Sequence, residues 1–253
     1  MISNTKLLQF VTAFLLFIGL ADMKATAQVV ENPKEVCDLL NRIGGKGTAE
    51  RIATAIDPSV ASAGREAFVL TSQDGKPCIK GSNVSALTTG INWYLNHYAH
   101  VNIAWNNLTT DLSQVELPVP TKQEKHSTTV GYRYYLNYCT FSYSMSTWTW
   151  ERWQKEIDWM ALHGINMPLQ IVGLDVVWQK LLTQDLGYTD DEANAFIAGP
   201  CFQAWWGMNN LQGWGGKNPA WWYKRQEALA KKILAREREL GMEPVLPGYA
   251  GMV

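Results

Sequence analysis

Ten of the twelve tryptophans in this 253-residue chain fall between Trp148 and Trp222. Flat apolar rings suit the faces of pyranose sugars, so their density directs attention to a neutral, ring-shaped ligand. Trp150, Trp153 and Trp159 recur along one helical pattern, where burial against strands explains them without a ligand. Trp205, Trp206 and Trp214 lie in a stretch rich in Gly and Asn, where ligand contacts concentrate, and core packing and ligand binding both stand open for them. The acidic residues read as structural. Glu151, Glu156 and Asp158 share a helix, Glu192 sits at capping spacing from Thr189, and Asp175 is a lone carboxylate without a partner visible in the sequence. No pair of carboxyl groups is placed for general acid and base work. Cys37, Cys78, Cys139 and Cys201 form no CxxC pair and have no histidine at ligand spacing, so neither a metal nor another cofactor is expected. They read as small buried hydrophobes, although export would permit disulfides.

A formal net charge of -1 supplies no positive field for phosphates, which argues against nucleic acid and anionic membrane surfaces as partners. The first residues have the form of an export signal. Lys6 precedes an apolar run from Leu7 to Leu20, and Ala25-Thr26-Ala27 is a small-x-small cleavage site. That run falls short of the roughly 20 residues a bilayer span needs. Cleavage after Ala27 is expected, with a mature periplasmic or extracellular protein beginning at Gln28 and no membrane association thereafter.

The elements that must position the aromatic residues divide into two parts. Residues 28–125 predict a small α+β domain. Pro33 to Ile43 is helical, Arg51–Ile56 and Ala67–Ser72 alternate as strands, and Asp74-Gly75 turns the second of these back through Cys78 and Ile79. Ser82-Asn83 opens a helix through Leu95, and Val101 to Trp105 reads as a strand. Pro118, Pro120 and a polar run from Thr121 to Thr128 mark a linker, with the boundary near 125. Residues 126–253 then alternate strand and helix. Thr129–Tyr138, Asn166–Val172 and Glu243–Leu246 are the candidate strands, separated by helices around Trp153 and from Val176 onward, and the last helix runs from Asn218-Pro219 to Gly241. The fold class expected is α/β, with the first three strands of a (β/α)8 barrel. A complete barrel takes about 250 residues, so this segment is expected to be only part of one.

Tyr132-Arg133-Tyr134-Tyr135-Leu136-Asn137-Tyr138-Cys139-Thr140, followed by Trp153 and Glu156-Ile157-Asp158-Trp159-Met160-Ala161-Leu162, resembles the opening of the barrel of α-N-acetylglucosaminidases, glycoside hydrolase family 89. The resemblance continues through Gly164-Ile165-Asn166, Trp178-Gln179, Gly199-Pro200, Ala204-Trp205, Met208 and Gly241-Met242-Glu243-Pro244-Val245-Leu246-Pro247, and includes Gly90-Ile91-Asn92-Trp93-Tyr94-Leu95 in the first domain. It implies an exo-acting enzyme that removes terminal α-linked N-acetylglucosamine from glycans with retention of configuration. Its nucleophile and acid/base would be two glutamates from later strands, and no position here matches them. This chain alone is therefore expected to be inactive. The resemblance assigns sugar contacts to Asn137, Cys139, Trp205 and Met208. One departure stands out: the family commonly reads Gly-Gln-Glu where this chain has Gly173-Leu174-Asp175. The competing expectation is a non-catalytic sugar-binding remnant, and an unrelated exported (β/α)8 enzyme such as an aldolase ranks last because no lysine or metal cluster falls at the strand ends.

Overall fold

The computed structural model describes residues 28–247. The expected export signal lies outside the described residues, as does the segment after Pro247. Among the described residues no helix is long and apolar enough to cross a membrane.

The amino-terminal part packs two helices on a five-stranded sheet. Its elements are β1 (Val30–Glu31), α1 (Lys34–Gly44), β2 (Ala53–Ile56), β3 (Ala67–Gln73), β4 (Lys76–Gly81), α2 (Val84–His97) and β5 (Glu124–Ser127), with sheet order β1-β2-β4-β3-β5. The β3–β4 hairpin closes through Asp74 and Gly75, both with positive φ (51° and 73°), as a two-residue turn of this kind requires. Helix α1 buries Val36, Leu39, Leu40 and Ile43, the stripe its spacing predicts. The Asn83 side chain caps α2 by accepting from Ala86 N at 2.8 Å, while its amide nitrogen donates to Glu66 at 3.0 Å. Two expectations differ from this arrangement. Val101–Trp105 forms no strand; an isolated bridge joins Ala104 to Asn107, and the segment is held by fully buried Ile103 and by the Trp105 indole bonded to Glu156. The polar run read as a linker contains β5, which pairs antiparallel with β3 from Ala67↔Ser127 to Leu70↔Glu124. The polar run thus holds a strand and not a free linker, because an edge strand needs backbone pairing more than an apolar face.

The remainder alternates β6 (Tyr134–Tyr135), α3 (Tyr138–Ser144), α4 (Trp150–Leu162), β7 (Met167–Pro168), α5 (Leu174–Lys180), α6 (Asp190–Phe196), α7 (Gln203–Gly207) and α8 (Ala220–Glu239). β6 and β7 pair in parallel, Tyr134 opposite Met167. Where a third strand is expected, at Glu243–Leu246, the described residues form only an isolated parallel bridge between Leu169 and Val245. The Thr189 and Glu192 capping box forms in full at the start of α6, and Gly241 (φ 76°) ends the turn after α8.

One apolar core runs through both parts, from Val36 and Ile79 to Trp153, Ile157 and Ile233. Polar contacts fix the junction. Asp158 on α4, 2% exposed, accepts from Arg42 of α1 at 2.7 and 2.8 Å and from Arg236 of α8 at 3.4 Å. Burial pushes its pKa up to about 6, with the Arg42 charge and hydrogen bonds pulling the other way. Arg133 reaches Glu66 and the Gly164 carbonyl at once, and Thr88 donates to the Ala161 carbonyl at 2.8 Å.

Candidate functional site

Parallel pairing of β6 and β7 sends the chain out of both strands on the same edge, the edge on which barrel enzymes carry their sites. Leaving β6, Leu136 turns into the core at 5% exposure and Asn137 becomes the N-cap of α3, its Oδ1 accepting from Cys139 N at 3.0 Å. The cap occupies one lone pair of the carbonyl; the amide nitrogen makes no bond among the described residues and is open to a ligand acceptor. Asn137 is exposed and Cys139 half-buried.

Helix α7 lies alongside α3. Ala204 N donates to Ser142 Oγ at 2.9 Å, and a Cβ on Gly207 would come within 2.6 Å of Tyr138 Oη, so glycine is what lets the two helices close. That seam brings Trp205 and Met208, both half-buried, to the helix that begins at Asn137 and carries Cys139. The four residues expected to contact sugar therefore lie on, or at the ends of, two helices packed side by side. The Trp205 ring stands edge-on to Tyr143 of α3, with centroids 5.3 Å apart at 86°.

The three tryptophans left open by the sequence separate here. Trp206 is fully buried among Trp178, Phe196 and Ile197 and is core. Trp205 sits on the seam, and Trp214 is 62% exposed against Phe202, at centroids 6.1 Å apart. Trp153 is buried as expected, with Trp150 and Trp159 half-buried beside it.

After β7, Gln170 Nε2 bonds the Val172 carbonyl at 2.9 Å and Gly173 (φ 91°) turns the chain into α5, with a Cβ there only 2.9 Å from Ala230 Cβ of α8. Leu174 then points its Cδ2 to within 3.2 Å of the Cβ position on Gly207, beneath the seam. Asp175 is not the partnerless carboxylate its sequence context predicts. It is 1% exposed, and its Oδ2 accepts from Trp222 Nε1 of α8 at 2.7 Å. Burial raises its pKa, opposed first by the hydrogen bond from Trp222. That partner lies 47 residues away and leaves no local signal. The other acids are structural: Glu156, fully buried, accepts from Trp105, Tyr135 and Arg152. The four cysteines are all free; only Cys78 is fully buried, while Cys201 is exposed, so the reading of each as a buried hydrophobe holds for Cys78 alone. Among the described residues no group of three or more His, Cys, Asp or Glu side chains could hold a metal ion.

With the site's geometry in hand, likeness to known proteins is specific. The family model of the α-N-acetylglucosaminidase amino-terminal domain matches residues 34–119, and that of the α-N-acetylglucosaminidase TIM-barrel domain matches residues 133–253. Human α-N-acetylglucosaminidase is 37% identical over 221 residues, which are 85% of this chain; the chain spans 29% of that relative's length. The family 89 glycoside hydrolase of Clostridium perfringens, as a double Glu-to-Gln variant in complex with its substrate GlcNAc-α-1,4-galactose, is similar with a TM-score of 0.77 at 33% identity, over 88% of this chain and 25% of that one. The same hydrolase in complex with PUGNAc aligns with a TM-score of 0.76 over the same shares of each chain and at the same identity. Two adjoining family models in the right order, a shared barrel opening and a high structural score together show that this chain belongs to the α-N-acetylglucosaminidase family, glycoside hydrolase family 89.

Proposed function

We propose that the chain forms the sugar-contacting opening of an exported exo-α-N-acetylglucosaminidase, which removes terminal α-linked N-acetylglucosamine from glycans with retention of configuration. The observation that supports this reading is the side-by-side packing of α3, which begins at Asn137 and carries Cys139, and α7, which carries Trp205 and ends at Met208, beyond the strand edge where barrel enzymes bind substrate. The chemistry fits the ligand. The free amide nitrogen of Asn137 donates to a ring hydroxyl, while Trp205 and Met208 give an apolar wall for the pyranose face and the acetamido methyl.

Retention requires a nucleophile and an acid/base about 5 to 5.5 Å apart. Asp175 is committed to Trp222, so it serves as neither. We assign the pair to two glutamates in later strands of a longer parent enzyme, in keeping with the two Glu-to-Gln substitutions of the substrate-bound clostridial relative. In the parent, the role of this segment is to hold the sugar while those groups act. The test is proton NMR of a parent enzyme, carrying this segment, acting on an aryl α-N-acetylglucosaminide. The α-anomer of N-acetylglucosamine should appear first, and residues 28–253 alone should release none. Initial β-anomer would overturn retention, and steady turnover by the segment alone would overturn the assignment of the catalytic pair.

A further inference from the structure

Tyr143 is the most exposed large apolar side chain among the described residues, at 76%. Its neighbours on α3 do the packing: Phe141 is 1% exposed, and Ser142 is 6% exposed and bonded to Ala204 N. Within this chain, core formation does not account for a tyrosine at 143. A single exposed aromatic is ordinary on a protein surface, but this one is part of a site. Four residues separate it from Cys139, so both occupy the same face of α3. Its ring meets the Trp205 ring at 86° with centroids 5.3 Å apart, which extends the aromatic surface of the α3–α7 seam out into solvent.

That angle has a chemical counterpart. An α-glycosidic bond leaves the anomeric carbon axially, so the next sugar ring turns steeply away from the plane of the first instead of continuing it. Two aromatic rings near a right angle can each meet one of two sugars joined in this way, whereas a flat platform would meet only one. We propose that Tyr143 is a second sugar-binding position, which stacks the monosaccharide to which the terminal N-acetylglucosamine is α-linked. The proposal rests on the reading that Trp205 faces the N-acetylglucosamine ring. It makes the preferred substrate a glycan in which the leaving group is itself a pyranose.

The test compares binding of N-acetylglucosamine and of GlcNAc-α-1,4-galactose to the full chain by isothermal titration. The disaccharide should bind about tenfold more tightly, the scale of one added aromatic stacking contact. Tyr143→Ala and Tyr143→Asn should bring the two affinities together while leaving that for the monosaccharide within twofold. Tyr143→Phe and Tyr143→Trp should keep the preference, because the ring face carries it and the hydroxyl does not. Circular dichroism of each variant checks that α3 is retained, and the exposed position leaves two independent truncations to compare. A preference unchanged in both truncations, or absent from the original chain, would overturn the role of Tyr143 while leaving the monosaccharide site standing. Failure of the original chain to bind either sugar would overturn that site and the proposal with it.

Discussion

Residues 30–127 and residues 134–247 treat their buried polar groups differently. In the first part every buried side-chain donor and acceptor finds a partner among the described residues except Asn92 Oδ1. In the second, Tyr138, Trp153, Trp159, Gln203, Trp206, Gln226, Arg236 and Glu237 each retain a buried nitrogen or oxygen without one. Such groups are few in folded proteins because each costs about 1 to 3 kcal/mol. The α+β part is thus a finished support, whose sheet and helices satisfy themselves. The barrel part leaves polar groups unpaired on α3 and α7, which carry the candidate site residues, and also on α4 and α8.

The largest test of this division acts on the junction that locks the support to the barrel part. Asp158→Ala leaves Arg42 and Arg236 facing a buried gap, and a buried pair broken in this way costs roughly 3–5 kcal/mol. Urea unfolding should show that loss, with the two parts melting less cooperatively. A cost below about 1 kcal/mol would mean that the shared apolar core joins them without the ion pairs.

Glu237 tests the unpaired groups directly. It is 1% exposed, and burial pushes its pKa up to about 8, against a weaker downward pull from Arg238. A carboxyl raised in the folded state is held protonated there while the unfolded chain releases its proton near the ordinary value. Its contribution to stability is complete below about pH 4.5 and is lost as pH rises through about 8. Between pH 5 and 8 the loss amounts to about 3 kcal/mol. Glu237→Gln should flatten that slope, and an unchanged slope would show that the carboxyl is charged and paired in solution.

A third comparison separates site from core, and its smallest effects fall on the site residues. Trp206→Ala should cost roughly 3–5 kcal/mol of stability, as a truncated core aromatic does. Trp205→Ala and Asn137→Ala should barely move stability, yet weaken N-acetylglucosamine binding by about 1–3 kcal/mol. Equal stability losses for the two tryptophans would return Trp205 to the core.

Much of the fold was legible because its signals are local. The stripe of α1, the Asp74-Gly75 turn, the Asn83 cap and the Thr189–Glu192 box each involve residues a few positions apart. β5 was hidden because Glu124–Ser127 pairs through its backbone and shows no apolar pattern. The apolar run at Val101–Trp105 signalled burial without a strand, since Ile103 and the Trp105–Glu156 bond anchor it as irregular chain. The short helices α3 and α7 carry too few turns for periodicity to announce them. At the site, Asn137, Cys139, Trp205 and Met208 came from the family resemblance, and the packing of the two helices that carry them joins segments about 60 residues apart. The partner of Asp175 and the right angle between Tyr143 and Trp205 are tertiary facts with no local sequence signature.

The most direct test of the central claim is a two-dimensional amide and indole NMR titration of residues 28–253 with N-acetylglucosamine. The account predicts saturable shifts in α3 and α7, centred on Asn137, Cys139, Met208 and the Trp205 indole, with the Trp206 indole and the α+β part unmoved. Saturable shifts centred elsewhere, such as the cleft lined by Phe68, Trp93 and His126, or no saturable shift at all, would contradict it.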